Sequence, residues 1–123
     1  MTNYLAVAFG GAIGSMGRYW VGLVLNKHAQ WLPLGTFFVN VVGALLIGIV
    51  WAYLQQKSQN ELLRLFVSVG VLGGFTTFST FSLETMHLLA SGSTTHALAN
   101  IALNVIICLI AVAAGVSFGR WLF

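Results

Sequence analysis

Between residues 73 and 84 the chain reads Gly73-Gly74-Phe75-Thr76-Thr77-Phe78-Ser79-Thr80-Phe81-Ser82-Leu83-Glu84, with no charged residue between Arg64 and Glu84. A glycine pair followed by hydroxyls suits a lipid-facing helix poorly, because glycine favours breaks and Ser and Thr compete for backbone hydrogen bonds. A break at Gly73-Gly74 inside a membrane is tolerated only where it is buried in protein or lines a wet cavity. Such a break suits ions. Carbonyls freed between Gly73 and Thr77 call for a hard cation, and the N–H groups that open the next half-helix attract an anion. If helix resumes after the break, Thr77, Thr80 and Glu84 fall at i, i+3 and i+7 and form one polar stripe. Phe78 and Phe81 then stand one turn apart beside it. Aromatic rings carry a positive edge, so a ring presented edge-on can contact a small anion without a strong donor; ordinary packing is the other reading of the pair.

Other polar residues sit within apolar surroundings, where an ionisable side chain is a functional candidate by default. Arg18 follows Gly14-Ser15-Met16-Gly17, and whether it lies inside the first apolar stretch or snorkels to its end, it brings positive charge near a pore mouth. Asn40, among Phe37, Phe38, Val39, Val41 and Val42, has an amide that can donate two hydrogen bonds to an anion, or bridge helices. Asn100 and Asn104 in the last apolar stretch carry the same two readings.

The elements that must position these groups follow from composition. The 123 residues are 59% hydrophobic and only 6% charged, more apolar surface than a soluble domain of this length can hide. Four stretches reach the roughly 20 apolar residues of a membrane span: about residues 3–25, 34–54, 61–90 and 96–121. The fold expected is therefore one all-α, four-helix transmembrane domain over residues 1–123, with Pro33 opening the second helix and the third broken at 73–77. Lys57, Arg64 and Arg120 fall on the side of both termini, against Lys27 and, near that end, Arg18. Positive charge in short loops sets orientation, so a bias this weak permits insertion both ways up and an antiparallel dimer. Small residues four apart (Gly10 and Gly14, Gly11 and Ser15, Gly70 and Gly74, Gly115 and Gly119) are read as the close-packing faces of an oligomer. The five Lys/Arg are dispersed, which points away from nucleic acid. The lone Cys108 has no disulfide partner in the chain. The N-terminus lacks the basic region of a secretory signal.

Three runs together, Gly10-Gly11-Ala12-Ile13-Gly14 with Arg18-Tyr19, Gly35-Thr36-Phe37-Phe38-Val39-Asn40-Val41-Val42-Gly43, and residues 73–84, resemble the Fluc (CrcB) fluoride channel family over essentially the whole chain. The resemblance implies a passive fluoride channel and no enzyme: a multi-pass protein of the bacterial inner membrane, inserted as a dual-topology antiparallel homodimer with two fluoride pores. It implies a structural sodium ion at the centre, held by the backbone carbonyls of Gly73 and Thr76 from each subunit. Phe78 and Phe81 match the pore-lining aromatic box, Asn40 the amide beside it, and Ser79, Thr80 and Glu84 the polar track leading outward, with Arg18 as vestibule charge. In this family fluoride that enters as the neutral acid and is trapped as the anion leaves passively. The fourth span departs from the pattern: Ala102-Leu103-Asn104 and Cys108 stand where many members have Ala-Leu-Tyr and a serine, so no fluoride contact carries over there. Two other classes compete. A four-helix proton-coupled exporter of cationic drugs would need a carboxylate in the first span, which carries Arg18 instead. A non-transporting assembly subunit would have no use for a costly break.

Overall fold

The computed structural model describes residues 1–28 and 32–123. It is all-helical, with four long helical segments. Helix α1 spans Thr2–Leu25 and runs into the short 3₁₀ turn Asn26–His28. Helix α2 spans Leu34–Lys57, directly after Pro33. The third segment, Glu61–Ala90, contains α3 (residues 61–75) and α4 (Phe78–Ala90). Helix α5 spans Thr94–Leu122. The last three segments are long and apolar enough to cross a membrane; α1 equals α2 in length at 24 residues. Large apolar side chains such as Phe9, Trp20, Leu109 and Ile110 are exposed on the outside of the helices. Exposed apolar flanks of this kind face lipid or another protein, as in a membrane protein.

Local chemistry sets the ends of these helices. Asn60 caps α3, its side chain accepting from the Leu63 N–H at 3.0 Å, and the exposed Glu61 and Arg64 pair one turn on at 2.7 Å. Helix α4 stops in a Schellman turn. Gly92 sits at φ +78°, the Ser93 N–H reaches back to the Leu88 carbonyl at 2.9 Å, and the Gly92 N–H reaches the Leu89 carbonyl at 3.0 Å. Two wide π-helical stretches, Leu65–Leu72 in α3 and Leu103–Ile107 in α5, mark the parts of the bundle nearest the candidate site.

Glycines let the helices close on one another within a single chain. A Cβ on Gly10 or Gly14 would collide with the backbone of Phe66, Gly70 or Val71, and one on Gly74 would lie 2.7 Å from the Gly11 carbonyl oxygen. On the other side of the bundle, Gly48, Gly115 and Gly119 bring α2 and α5 together, and a Cβ on Gly119 would sit 2.7 Å from that of Ala52. Of the small-residue pairs expected to form an oligomer interface, Gly10/Gly14, Gly70/Gly74 and Gly115/Gly119 are thus engaged in intrachain packing, whereas a Cβ on Gly11 would meet nothing within 4 Å. Spacing reveals that a backbone must come close, and says nothing of which backbone.

The glycine pair itself is helical. Within the interval 73–77 where the break is expected, Gly73–Phe75 form a last α-helical turn, and the extended residues are Thr76 (φ −81°, ψ 158°) and Thr77 (φ −152°, ψ 114°). Gly74 is small because α1 passes against it, whereas a Cβ on Gly73 would meet nothing closer than the Ser68 carbonyl oxygen at 3.7 Å. From α2, Gly43 gives Thr76 its room: a Cβ there would collide with Cγ2 of Thr76.

Candidate functional site

Three of the four backbone groups of the two extended threonines have partners in the surrounding helices. Thr76 turns back on α3, its N–H and its hydroxyl both donating to the Leu72 carbonyl, at 3.0 and 2.9 Å. Thr77 is held by Asn40 of α2: the Thr77 N–H donates to Oδ1 at 2.8 Å, while Nδ2 donates to the Thr77 carbonyl at 3.2 Å. One side-chain amide therefore pairs both groups of a peptide that has left its helix, as a neighbouring strand would. The second hydrogen on Nδ2 goes to Oδ1 of Asn104 at 3.2 Å. Both donors of Asn40 are thus engaged within the chain, so of its two readings the bridge between helices is the one built here, with Asn40 as a clamp on Thr77.

Thr77 also starts α4. Its hydroxyl oxygen accepts from the Thr80 N–H at 3.3 Å as an N-cap, and its hydroxyl hydrogen goes to Oγ1 of Thr80 at 2.9 Å. The hydrogen on Thr80 Oγ1 has no acceptor among the described residues, and Thr80 is exposed. One turn further, Glu84 accepts at Oε1 from the hydroxyl of Thr36 at 2.7 Å, while Oε2 is buried without a hydrogen-bond partner among the described residues. Thr36 and Asn40 stand one turn apart on α2 and address Glu84 and Thr77 on α4, so the helices are stitched at two levels. The stripe anticipated from spacing is assembled, and it opens onto a cavity of about 670 Å³ lined by Thr77, Thr80, Glu84, Thr36, Arg18 and Lys27. Ser79 is placed apart from it. Its hydroxyl lies 3.5 Å from that of Thr77, but the residue is exposed and lines neither this cavity nor the next.

A second cavity, of about 510 Å³, lies on the other side of Thr77 and is mostly apolar. The phenylalanine pair lines it, with ring centroids 5.4 Å apart and planes inclined at 58°. The two rings differ in setting: Phe81 is 7% exposed, whereas Phe78 is 76% exposed on the open flank of the molecule. Gly73 and Thr76 line the same cavity. Because α3 ends there, its last carbonyls lose the N–H groups that a continuing helix would bring. Those oxygens are hard, neutral donors of the kind a monovalent cation accepts. Among the described residues no three His, Cys, Asp or Glu side chains converge, so a cation here would rest on backbone oxygens.

Comparison with known proteins gives the family. The family described as CrcB-like protein, Camphor Resistance (CrcB), matches residues 5–116. The chain belongs to the CrcB family. Several relatives carry the name fluoride-specific ion channel FluC. One from Campylobacter jejuni subsp. jejuni serotype O:6 is 46% identical over 112 residues, covering 90% of this chain and 92% of the relative. One from Ruminiclostridium cellulolyticum is 40% identical over 117 residues, covering 94% and 90%. One from Paracoccus denitrificans is 42% identical over 121 residues, covering 98% and 97%.

The CrcB match spans every residue of the site, including those that sequence reasoning passed over. Thr36, the partner of Glu84, was visible only as one member of the second motif. Thr85, with its hydroxyl buried under α5, carried no signal at all. Asn100 and Asn104 were legible as polar residues in an apolar span, but the bonds that tie them to α4 and α2 run to Thr85 and Asn40, far along the chain.

Proposed function

We propose that this member of the CrcB family is a passive, fluoride-specific channel that lets fluoride leave the cytoplasm through the inner membrane of a bacterium. The observation that carries the reading is identity of 40–46% over at least nine-tenths of the chain with relatives named for that activity. The geometry supports it. Arg18 and Lys27 give the polar cavity a positive mouth that draws anions in, and the spare hydroxyl hydrogen of Thr80 offers a donor inside. Thr77 lines both cavities, so an ion crossing from one to the other passes over the clamped peptide towards the Phe81 and Phe78 rings. There the positive ring edges take over part of the anion's hydration. They hold it weakly enough to let it go, which conduction requires.

In this reading the working unit is an antiparallel homodimer with two pores. A second copy covers the exposed Phe78 and the open cavity around Gly73 and Thr76. The carbonyls of Gly73 and Thr76 from each copy then hold a structural sodium ion, whose charge offsets the mutual repulsion of helix-end dipoles in a medium of low dielectric. Glu84, bonded to Thr36, orders the polar track, and Asn40 keeps the Thr77 peptide in place.

Growth on fluoride tests the reading. Cells stripped of their own fluoride export should regain growth on fluoride when they express this chain. Cells that make the protein in the membrane and stay as sensitive as before would contradict it.

A further inference from the structure

The hydrogen bonds from Asn40 do not stop at Asn104. The Asn104 amide donates to Oδ1 of Asn100 at 3.0 Å and to the Asn100 carbonyl at 3.1 Å. The Asn100 carbonyl also accepts the Leu103 N–H at the entry to the wide turns of α5, so the side chain one turn on adds a second bond to it. The Asn100 amide then donates to the hydroxyl of Thr85 at 3.0 Å, and that hydroxyl donates to the Phe81 carbonyl at 2.8 Å. Asn100 is 1% exposed, Asn104 5% and Thr85 7%. Every bond runs the same way, from the Thr77 N–H through Asn40, Asn104, Asn100 and Thr85 to the carbonyl of Phe81. The series leaves α4 at Thr77, passes through α2 and α5, and returns to α4 one turn later.

We infer that Thr85, Asn100 and Asn104 are positioning residues: a closed relay of side chains that fixes the Thr77 peptide and the Phe81 ring relative to each other. The inference rests on the channel reading for its consequence, since it assigns to these three the control of fluoride passage and selectivity, and on the hydrogen bonds alone for its existence. Bonds aligned head to tail polarise one another, so the series behaves as a unit. Loss of a single member leaves a buried donor unsatisfied, at a cost of about 1–3 kcal/mol. An Asn100 amide deprived of Thr85 turns to find another acceptor. Asn104 then loses its Oδ1 partner on Asn100, and Asn40 is freed from its second bond and with it from a fixed orientation at Thr77. A pair of asparagines that served packing alone would transmit nothing of this to the anion path.

The test compares Thr85→Val, which keeps shape and deletes the hydroxyl, with Thr85→Ser, which restores it. Asn104→Ser serves as a second break in the relay, since a hydroxyl that short still reaches its own helix but not Asn40. Full-length protein is reconstituted in liposomes, and fluoride flux is measured per folded molecule alongside the preference for fluoride over chloride; hydrogen exchange is followed at the Thr77 amide. Thr85→Val and Asn104→Ser should lower flux at least about fivefold, the factor that the lower end of that cost corresponds to. They should also narrow the preference over chloride and speed exchange at Thr77. Thr85→Ser should recover all three. Wild-type values of selectivity and Thr77 exchange in both breaking variants would overturn the relay. A wild-type protein that passes no fluoride while exchange at Thr77 still responds to Thr85→Val would instead contradict the channel reading and leave the relay standing.

Discussion

Phe78 and Phe81 share a residue type and a helix face, yet one ring is buried and the other stands on the open flank. If their edges replace part of the hydration of fluoride, an aliphatic side chain of similar bulk removes the electrostatics and keeps the packing. Phe78→Ile and Phe81→Ile should each leave a folded protein and lower fluoride flux by tenfold or more, read with a fluoride electrode outside loaded liposomes. Phe81→Ile should also cost about 1–1.5 kcal/mol of stability because its site is closed, while Phe78→Ile should cost little if measured on the isolated chain. Flux at the wild-type level in both would reduce the pair to packing. The sequence made this pair and the Thr77–Thr80–Glu84 stripe legible, since both follow from helical spacing alone. It left the state of Asn40 hidden. Whether an amide is free or engaged depends on partners far along the chain, and Asn104 lies 64 positions away.

At the scale of elements, the extended pair Thr76–Thr77 is held from three directions: α1 seats the end of α3, Gly43 of α2 gives Thr76 room, and Asn40 pairs with Thr77. Gly43→Ala should therefore act on the site without touching it chemically. The added methyl pushes on Thr76 Cγ2, and overpacking of this kind costs about 1–3 kcal/mol. The expected outcome is a lower unfolding midpoint together with reduced fluoride flux, against near-wild-type behaviour for Gly11→Ala, where a Cβ would meet nothing within 4 Å. The order of effects reversed between the two variants would contradict the packing described. Here the sequence announced an interruption over 73–77 because glycines and hydroxyls cluster, but not that the threonines rather than the glycines leave the helix, since a glycine in a helix and a glycine in a break look alike until a neighbouring helix shows why the side chain is missing. For the same reason three of the four small-residue pairs read as an oligomer face, all but Gly11/Ser15, belong to packing inside the chain.

At the scale of the whole molecule, the channel reading needs a second copy, because Phe78 and the cavity beside Gly73 and Thr76 are open in one chain alone. Charge predicts how that copy is inserted: Lys57, Arg64 and Arg120 against Lys27 and Arg18 is too small a difference to fix one orientation. A cysteine placed at Lys27 should accordingly be labelled by an impermeant thiol reagent in about half of the molecules on intact cells, and labelling of all or none would exclude opposed insertion. Four helical segments and their rough limits could be read from hydropathy; the assembly could not, because a flank that faces lipid and one that faces a partner are equally apolar. The sodium reading has its own check. Thorough removal of Na⁺, with no ion of similar size supplied, should lower dimer stability and flux together and be reversed by adding Na⁺ back, whereas a Na⁺ gradient should have no effect on flux. The most direct test of the central claim is fluoride efflux from liposomes that contain only this protein, with no proton gradient imposed and potassium made permeant to balance charge. Rapid release of fluoride with chloride retained is the predicted result; fluoride held as tightly as in protein-free liposomes, with the protein shown to be folded, would contradict it.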